Sequence, residues 1–334
     1  MKKKIQVIAE IGVNHNGDIK KAFKLIDAAK DCGANFVKFQ LFNTESLVIR
    51  NAKKAKYQRK YDESKNQFTM LKKLELSNNS VVKIIQYCKK KKINFLATPF
   101  DLKNVNFLRS IKQSYIKISS ADINNYPLLE KIGQNKKKIF LSSGMSTIKD
   151  IFEAIKILTK NGTKKKDISI FHCTSAYPTP ITEVNLKVID LFIKTFGDNV
   201  GYSDHTTSIN IPSYAVILGA KFIEKHITLN NSDKGPDHAA SLNVLEFKQM
   251  ICNIREAEQS LGLAKKFLTK SEKINLKIAR RSIYAKKIIK KGEIFSSKNI
   301  ITKRPGTGIS PMMWIKVIGK KSKKDFVVDE KIKL

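Results

Sequence analysis

One pattern recurs along most of this chain and restricts the folds open to it: a short apolar run followed by a helical stretch. Strand-like runs occur at 5–13 (IQVIAEIGV), 36–42 (FVKFQLF), 94–100 (NFLATPF), 115–120 (YIKISS), 138–144 (KIFLSSG), 168–175 (ISIFHCTS), 199–205 (NVGYSDH) and 222–229 (FIEKHITL). Between them lie segments of helical period, such as KKAFKLIDAAKDCG, IKDIFEAIKILTKNG and NIPSYAVILGA. Gly33, Gly133, Gly162, Gly197 and Gly219 fall where those helices should stop. Parallel strands need right-handed crossovers, and an eight-strand ring leaves no open edge, so eight such units in about 260 residues predict an α/β fold, a closed (β/α)8 TIM barrel. An open doubly wound sheet is the alternative. It would want a glycine-rich phosphate loop after the first strand, and GVNHNGD is not one.

The pattern ends at Gly262, which sets expected boundaries at 1–262 for the barrel, 263–279 for a linker with a helical piece, and 280–334 for a small β-rich domain. That last part shows short β-like runs with tight turns, RSIYAKKIIKKGEIF, NIITKRPGTGISP and FVVDEKI. A domain so short is marginal alone and is expected to dock on something. Within the second barrel unit, residues 43–79 form an excursion rich in Lys, Gln, Tyr and Asn. A long loop at that place in a barrel suggests an active-site lid.

Charge narrows the function classes. The formal net charge is +35, but it comes from fifty-seven lysines and only seven arginines, spread mostly over helix ends and loops. Readers of nucleic acid lean on the rigid arginine fork and interleave aromatics with the basic face; here the aromatics sit in apolar runs. No nucleic-acid or membrane partner is expected, while an anionic small substrate would gain from the field. Cys32, Cys88, Cys173 and Cys252 are widely separated, which fits reduced thiols in a cytoplasmic protein. No run approaches the eighteen apolar residues of a membrane span.

Barrels of this type carry their chemistry at the C-terminal ends of the strands. The polar residues at those ends are Glu10, Asn14, His15, Lys38, Gln40, Thr98, Lys117, Ser119, Ser120, Ser142, Ser143, His172, Thr174, Asp204, His205, Glu224 and His226. Lys38 and Lys117 interrupt otherwise apolar strands, and burying an ammonium is costly unless it meets an anion. Either they form structural ion pairs, or, with the Thr98 and Ser142 hydroxyls, they line a pocket for a phosphorylated or carboxylated ligand. His205 and His226 would end adjacent strands about 4.8 Å apart. They are either two polar rim residues or a pair of neutral imidazoles able to hold a divalent ion with open positions. Asp204 and His205 are neighbours on one strand and face opposite sides, which argues against a Ser-His-Asp triad. The same parity gives His172 no chemistry.

The motifs AEIGVNHNGD, VKFQ, ATPFD, IKISSAD, LSSGM, HCTSAYPTP, VGYSDHT, EKHITL, GPDHAASL and KRPGTGISPM resemble, in order and spacing, those of the bacterial sialic acid synthases. The resemblance spans essentially the whole chain, including a C-terminal part similar to the antifreeze-like (SAF) domain. It implies condensation of phosphoenolpyruvate with an N-acetylmannosamine-type sugar, with release of phosphate and a need for Mn²⁺ or Mg²⁺. It also implies roles: Lys38, Thr98, Lys117, Ser120, Ser142 and Thr174 for phosphoenolpyruvate; His205 and His226 for the metal; Gln40, Tyr177 and Asp237 for the sugar; Glu10 as acid/base. Arg304 would reach the sugar from the other subunit of a domain-swapped homodimer. Ser143, Ser175 and Ala176 depart from the usual pattern and leave the sugar open. GPDHAAS favours the neuraminate and legionaminate branches over the pseudaminate one, and N-acetylneuraminate is the expected product, with N,N'-diacetyllegionaminate as the alternative. Two rivals from other classes are a Schiff-base aldolase using Lys38 or Lys117 and a non-catalytic phosphate or nucleic-acid binder.

Overall fold

The computed structural model describes residues 4–55, 58, 59 and 62–334. The chain divides into two compact units, Met1–Gly262 and Leu263–Leu334. In the first unit all eight expected strands form: β1 Gln6–Gly12, β2 Phe36–Leu41, β3 Asn94–Pro99, β4 Tyr115–Ile118, β5 Lys138–Ser142, β6 Ile168–Cys173, β7 Val200–Asp204 and β8 Phe222–His226. Each pairs with the next, and β8 returns to pair in parallel with β1, so the sheet is a closed barrel. The doubly wound sheet is excluded.

Alternate residues of a barrel strand face the lumen. Here the lumen residues change character half-way up. Ile8, Phe36, Leu96, Phe140 and Phe171, with the partly buried Tyr115 and Phe222, form one apolar cluster. Two residues further along each of the same seven strands come Glu10, Lys38, Thr98, Ser142, Cys173, Lys117 and Glu224, all lining a cavity. The aromatic layer is tight: the Phe140 and Phe222 ring centroids lie 4.9 Å apart. On β7 the layer has a glycine, because a Cβ at Gly201 would sit 2.7 Å from the Phe171 ring. The polar layer is therefore laid on a rigid hydrocarbon floor. Outward-facing residues such as Val7, Ala9, Val37 and Phe39 pack against the surrounding helices in the largest apolar cluster.

Helices follow the strands, at Ile19–Cys32, Asn78–Lys90, Leu102–Ser110, Tyr126–Gly133, Ile148–Lys160, Val188–Phe196, Ile211–Ile217 and Val244–Ser260. Their starts are written in the sequence. Thr147 and Asp150, for example, cap helix 148–160 reciprocally, each side chain accepting from the other's backbone N–H. The 43–79 excursion holds a short helix at Thr44–Leu47 and another at Gln67–Leu74. Met70 and Leu74 of the latter are buried with Val13 and Phe42, so this part is packed onto the barrel. Lys56, Tyr57, Lys60 and Tyr61, within the expected lid, lie outside the described residues.

In the second unit a helix at Lys270–Ala279 occupies the expected linker. β9 (Ser282–Ala285) and β10 (Ile300–Lys303) then form an antiparallel pair, around a core that includes Ile283, Ile289, Phe295, Val317 and Phe326. All four cysteines are free, Cys252 being exposed and the others buried. Among the described residues no helix is long and apolar enough to cross a membrane.

Candidate active site

The polar layer opens into a cavity of roughly 310 Å³ at the C-terminal end of the barrel. Its centre is a chain of buried charges. Glu224 accepts from Lys38 Nζ at 3.0 Å on Oε1 and from Lys117 Nζ at 3.0 Å on Oε2. Ser203 Oγ donates to the same Oε1 at 2.9 Å. On its other side Lys38 lies 3.4 Å from Glu10 Oε2, while Gln40 Nε2 donates to Glu10 Oε1 at 3.1 Å. The Lys117 ammonium also sits 4.2 Å above the Phe171 ring of the floor, where the ring quadrupole favours a cation.

The two carboxyl groups are held in different protonation regimes. Burial raises the Glu10 carboxyl to about 7, against the pull of Lys38. Burial acts upward on Glu224 too, but the Lys117 and Lys38 ammonium groups outweigh it and hold that carboxyl well below its ordinary range. Glu224 is thus the permanent anion between two lysines, and Glu10 is poised to hold or release a proton near neutrality. With Glu10 protonated the cluster carries one surplus positive charge, which an incoming anion can meet.

Hydroxyl donors ring the lysines. Thr98 Oγ1 is buried with no partner in the protein, an orphan group that a bound anion would satisfy. Ser142 is 4 % exposed and lines the cavity. Ser120 Oγ accepts from the Gly144 backbone N–H at 3.0 Å and lies 3.1 Å from Cys173 Sγ. A Cβ at Gly144 would come within 2.2 Å of Ser175 Oγ, so a larger residue there would displace that side chain.

His205 and His226 meet at one side of the mouth, their ring centroids 5.7 Å apart. His205 Nδ1 lies 2.7 Å from the Thr174 carbonyl oxygen. A carbonyl only accepts, so Nδ1 carries the proton and Nε2 keeps its lone pair. Burial holds His205 down at about 4 and His226 well below its ordinary value, so both rings are neutral. His226 Nδ1 is buried without a hydrogen-bond partner, 3.9 Å from Asp237 Oδ2. Two neutral imidazoles with uncommitted nitrogens suit a divalent ion. Among the described residues no group of three or more His, Cys, Asp or Glu is placed to hold a metal ion.

Comparisons with known proteins coincide with this arrangement. A model of the NeuB family matches residues 25–266, and a model of the SAF domain matches residues 280–333. The chain belongs to the NeuB family. It is an enzyme of the sialic acid synthase type, with a C-terminal SAF domain. It is 47 % identical, over 99 % of both chains, to a Campylobacter jejuni protein named N,N'-diacetyllegionaminic acid synthase. A Legionella pneumophila protein of the same name is 39 % identical, with 94 % of this chain and 89 % of that one covered. Among solved structures, the N-acetylneuraminic acid synthetase of Leptospira borgpetersenii, in complex with citrate, aligns with a TM-score of 0.72 at 32 % identity. That alignment covers 82 % of this chain and 90 % of the other.

In this NeuB-family barrel most of the residues singled out from sequence converge. Glu10, Lys38, Gln40, Thr98, Lys117, Ser120, Ser142, Tyr177, His205 and His226 line the cavity. The Tyr177 ring lies tilted against that of His205 with centroids 4.2 Å apart. Asp237 lines a smaller adjoining hollow together with Gln40, Tyr177 and His226, and burial raises its carboxyl to about 6. Thr174 is a correction: its hydroxyl donates to the Glu183 carbonyl at 3.1 Å and it does not line the cavity. β6 ends at Cys173, and beyond it alternation sends Cys173 and Ser175 inward and Thr174 out. Arg304 is exposed and belongs to the second unit. His172 faces the helices, 2.7 Å from the Val184 carbonyl, in line with its parity.

Sequence reasoning gave no role to Glu224 or Ser203. The signal was present: each lies two residues before a histidine singled out at the strand end, hence on the same lumen face. Ser119, Ala121, Met145 and Phe100 also line the cavity; they come from the loops above the strands, where no period marks direction.

Proposed function

We propose that this chain condenses phosphoenolpyruvate with a diacetamido sugar of the mannosamine type, giving N,N'-diacetyllegionaminate and phosphate. The observation that carries the reaction class is the buried Lys38–Glu224–Lys117 bridge in a cavity whose mouth holds two neutral histidines. The sugar assignment rests on the two legionaminate-named relatives. It takes up the alternative in place of the expected N-acetylneuraminate, since the GPDHAAS motif does not separate those two branches.

Phosphoenolpyruvate is a polyanion, and Lys38 and Lys117 with the Thr98, Ser120 and Ser142 hydroxyls provide donors for its phosphate and carboxylate. Fixing it there presents its C3 to the aldehyde carbon of a sugar placed by Gln40, Tyr177 and Asp237. The new C–C bond leaves an oxocarbenium at C2, to which water adds. Phosphate then departs with cleavage of its C–O bond. Glu10, whose carboxyl sits near neutrality, gives or takes the proton these steps require. A divalent ion, Mn²⁺ or Mg²⁺, held by His205 and His226 would supply Lewis acidity toward the aldehyde. The domain-swapped homodimer, with Arg304 contacting the sugar from the second subunit, belongs to the same proposal and rests on the family resemblance. So does a cytoplasmic location.

Phosphate release from phosphoenolpyruvate tests this directly, with the diacetamido sugar and with N-acetylmannosamine, each with and without EDTA. The expected result is EDTA-sensitive release with kcat/KM at least tenfold higher for the diacetamido sugar. Preference for N-acetylmannosamine would return the assignment to neuraminate; no release with any mannosamine-type sugar would refute the reaction.

A further inference from the structure

Directly behind the two histidines, on the opposite face of the same strands, lies an ion pair with no solvent access on either side chain. Asp204 and Lys225 are cross-strand partners in the β7–β8 register, and Lys225 Nζ lies 2.6 Å from Asp204 Oδ2 with both side chains 0 % exposed. Each is the immediate neighbour of a histidine, His205 and His226. The pair is saturated with further bonds. Tyr202 Oη donates to Asp204 Oδ1 at 3.0 Å, and the Thr206 N–H donates to the same oxygen at 2.9 Å. Lys225 Nζ donates to the Thr206 carbonyl and lies 3.3 Å from the Ser208 carbonyl. The ammonium therefore ties β8 to the loop that leaves β7 just past His205.

Stability alone is a poor reason for such a pair. Well-packed apolar side chains of similar volume commonly replace a buried ion pair without loss of stability, because the desolvation penalty offsets the Coulomb attraction. What the charges add is direction. Their fixed bond lengths lock the spacing of β7 and β8 and the path of residues 204–208. The main chain of His205 is tied on its other side by the Thr179 N–H, which donates to its carbonyl at 2.9 Å, and its ring by Thr174. The main chain of His226 is tied likewise by the Leu242 N–H, which donates to its carbonyl at 3.0 Å, but its ring Nδ1 has no hydrogen-bond partner.

We propose that the Asp204–Lys225 pair is a positioning brace that sets the separation of His205 and His226 for a divalent ion. This rests on the reading of those histidines as metal ligands given above. Neither brace residue touches the ion or the substrate; they act through the backbone of their neighbours. Outer residues that orient metal ligands typically change affinity 10–100-fold when altered.

The test uses the full-length protein and Mn²⁺ itself, with free Mn²⁺ read by electron paramagnetic resonance and Co²⁺ absorption as a probe of ligand geometry. In the double variant Asp204→Leu/Lys225→Met the expected result is a folded protein with a lowered melting temperature, because the Tyr202 hydroxyl and the Thr206 N–H lose their acceptor, and with Mn²⁺ affinity weakened roughly 10–100-fold. The Co²⁺ spectrum changes and phosphoenolpyruvate affinity, measured without metal, is retained. A folded double variant that binds Mn²⁺ like wild type overturns the brace. Should the double variant not fold, Tyr202→Phe removes one donor from Asp204 and keeps both charges; a several-fold loss of Mn²⁺ affinity supports the brace, and no loss overturns it. The ligand reading is checked separately by His205→Ala: if wild type binds no Mn²⁺, or His205→Ala binds it unchanged, that reading fails and the brace falls with it.

Discussion

Buried histidines away from the cavity show how single residues couple this protein to pH. His15 and His238 join the β1 end to the segment that carries Asp237. The Gly17 N–H donates to His15 Nδ1 at 2.9 Å, while His238 meets Thr228 Oγ1 at 2.7 Å and Asn16 Oδ1 at 3.2 Å. Burial lowers both imidazoles to about 4. Between that value and the ordinary 6.5 the unfolded chain binds protons that the folded chain refuses, so the unfolding free energy rises with pH across this window. Stability from these sites is complete above pH 6.5 and is lost as the pH falls toward 4. His15→Gln should flatten the acid side of a plot of denaturant midpoint against pH; an unchanged slope would show that His15 accepts a proton in the folded state. At this scale the sequence was legible wherever parity operated. Lys38 and Lys117 stand out because they interrupt apolar strands, and His205 and His226 because they end adjacent ones. Thr174 shares the outward parity of His172, and its assignment to phosphoenolpyruvate came from the family resemblance alone.

Elements were easier to read than residues, because a strand announces itself over several positions. All eight barrel strands lie within the runs marked in the sequence, and the capped helices begin at Ser, Thr, Asn or Asp. The helices of the 43–79 excursion were not legible, since Gln67–Leu74 spans only two turns and its apolar residues pack locally on Val13 and Phe42. The aromatic floor likewise depended on which strands lie across the lumen from one another, information that no single strand contains. Its tightness has a measurable result. Gly201→Ala places a methyl 2.7 Å from Phe171, and overpacking of this kind costs about 1–3 kcal/mol. Chemical denaturation should report that loss. Full stability would mean that Phe171 can move, and with it the platform beneath Lys117.

For the whole molecule the +35 charge is the dominant long-range property. The two lysines of the cavity are largely neutralised by Glu224 and Glu10, so attraction over distance falls to the lysines of the outer surface. Salt should accordingly lower kcat/KM for phosphoenolpyruvate severalfold between about 0.05 and 0.5 M, as the Debye length shrinks, while the uncharged sugar shows little change. Equal sensitivity of the two substrates would deny the field any part in capture. The fold class was readable at this scale from repetition alone. The sugar was not, because Tyr177 and Asp237, two of the three residues proposed to contact it, come from loops with no period.

The hydrocarbon floor has one more consequence. With Phe36, Tyr115, Phe140, Phe171 and Phe222 filling the lumen below the charges, the cavity has one doorway. Whatever enters first is enclosed behind what enters second, so the deeper ligand cannot depart until the shallower one has gone. The lysines lie deep and the histidines stand at the mouth, so in the proposed reaction the anion would enter before the sugar.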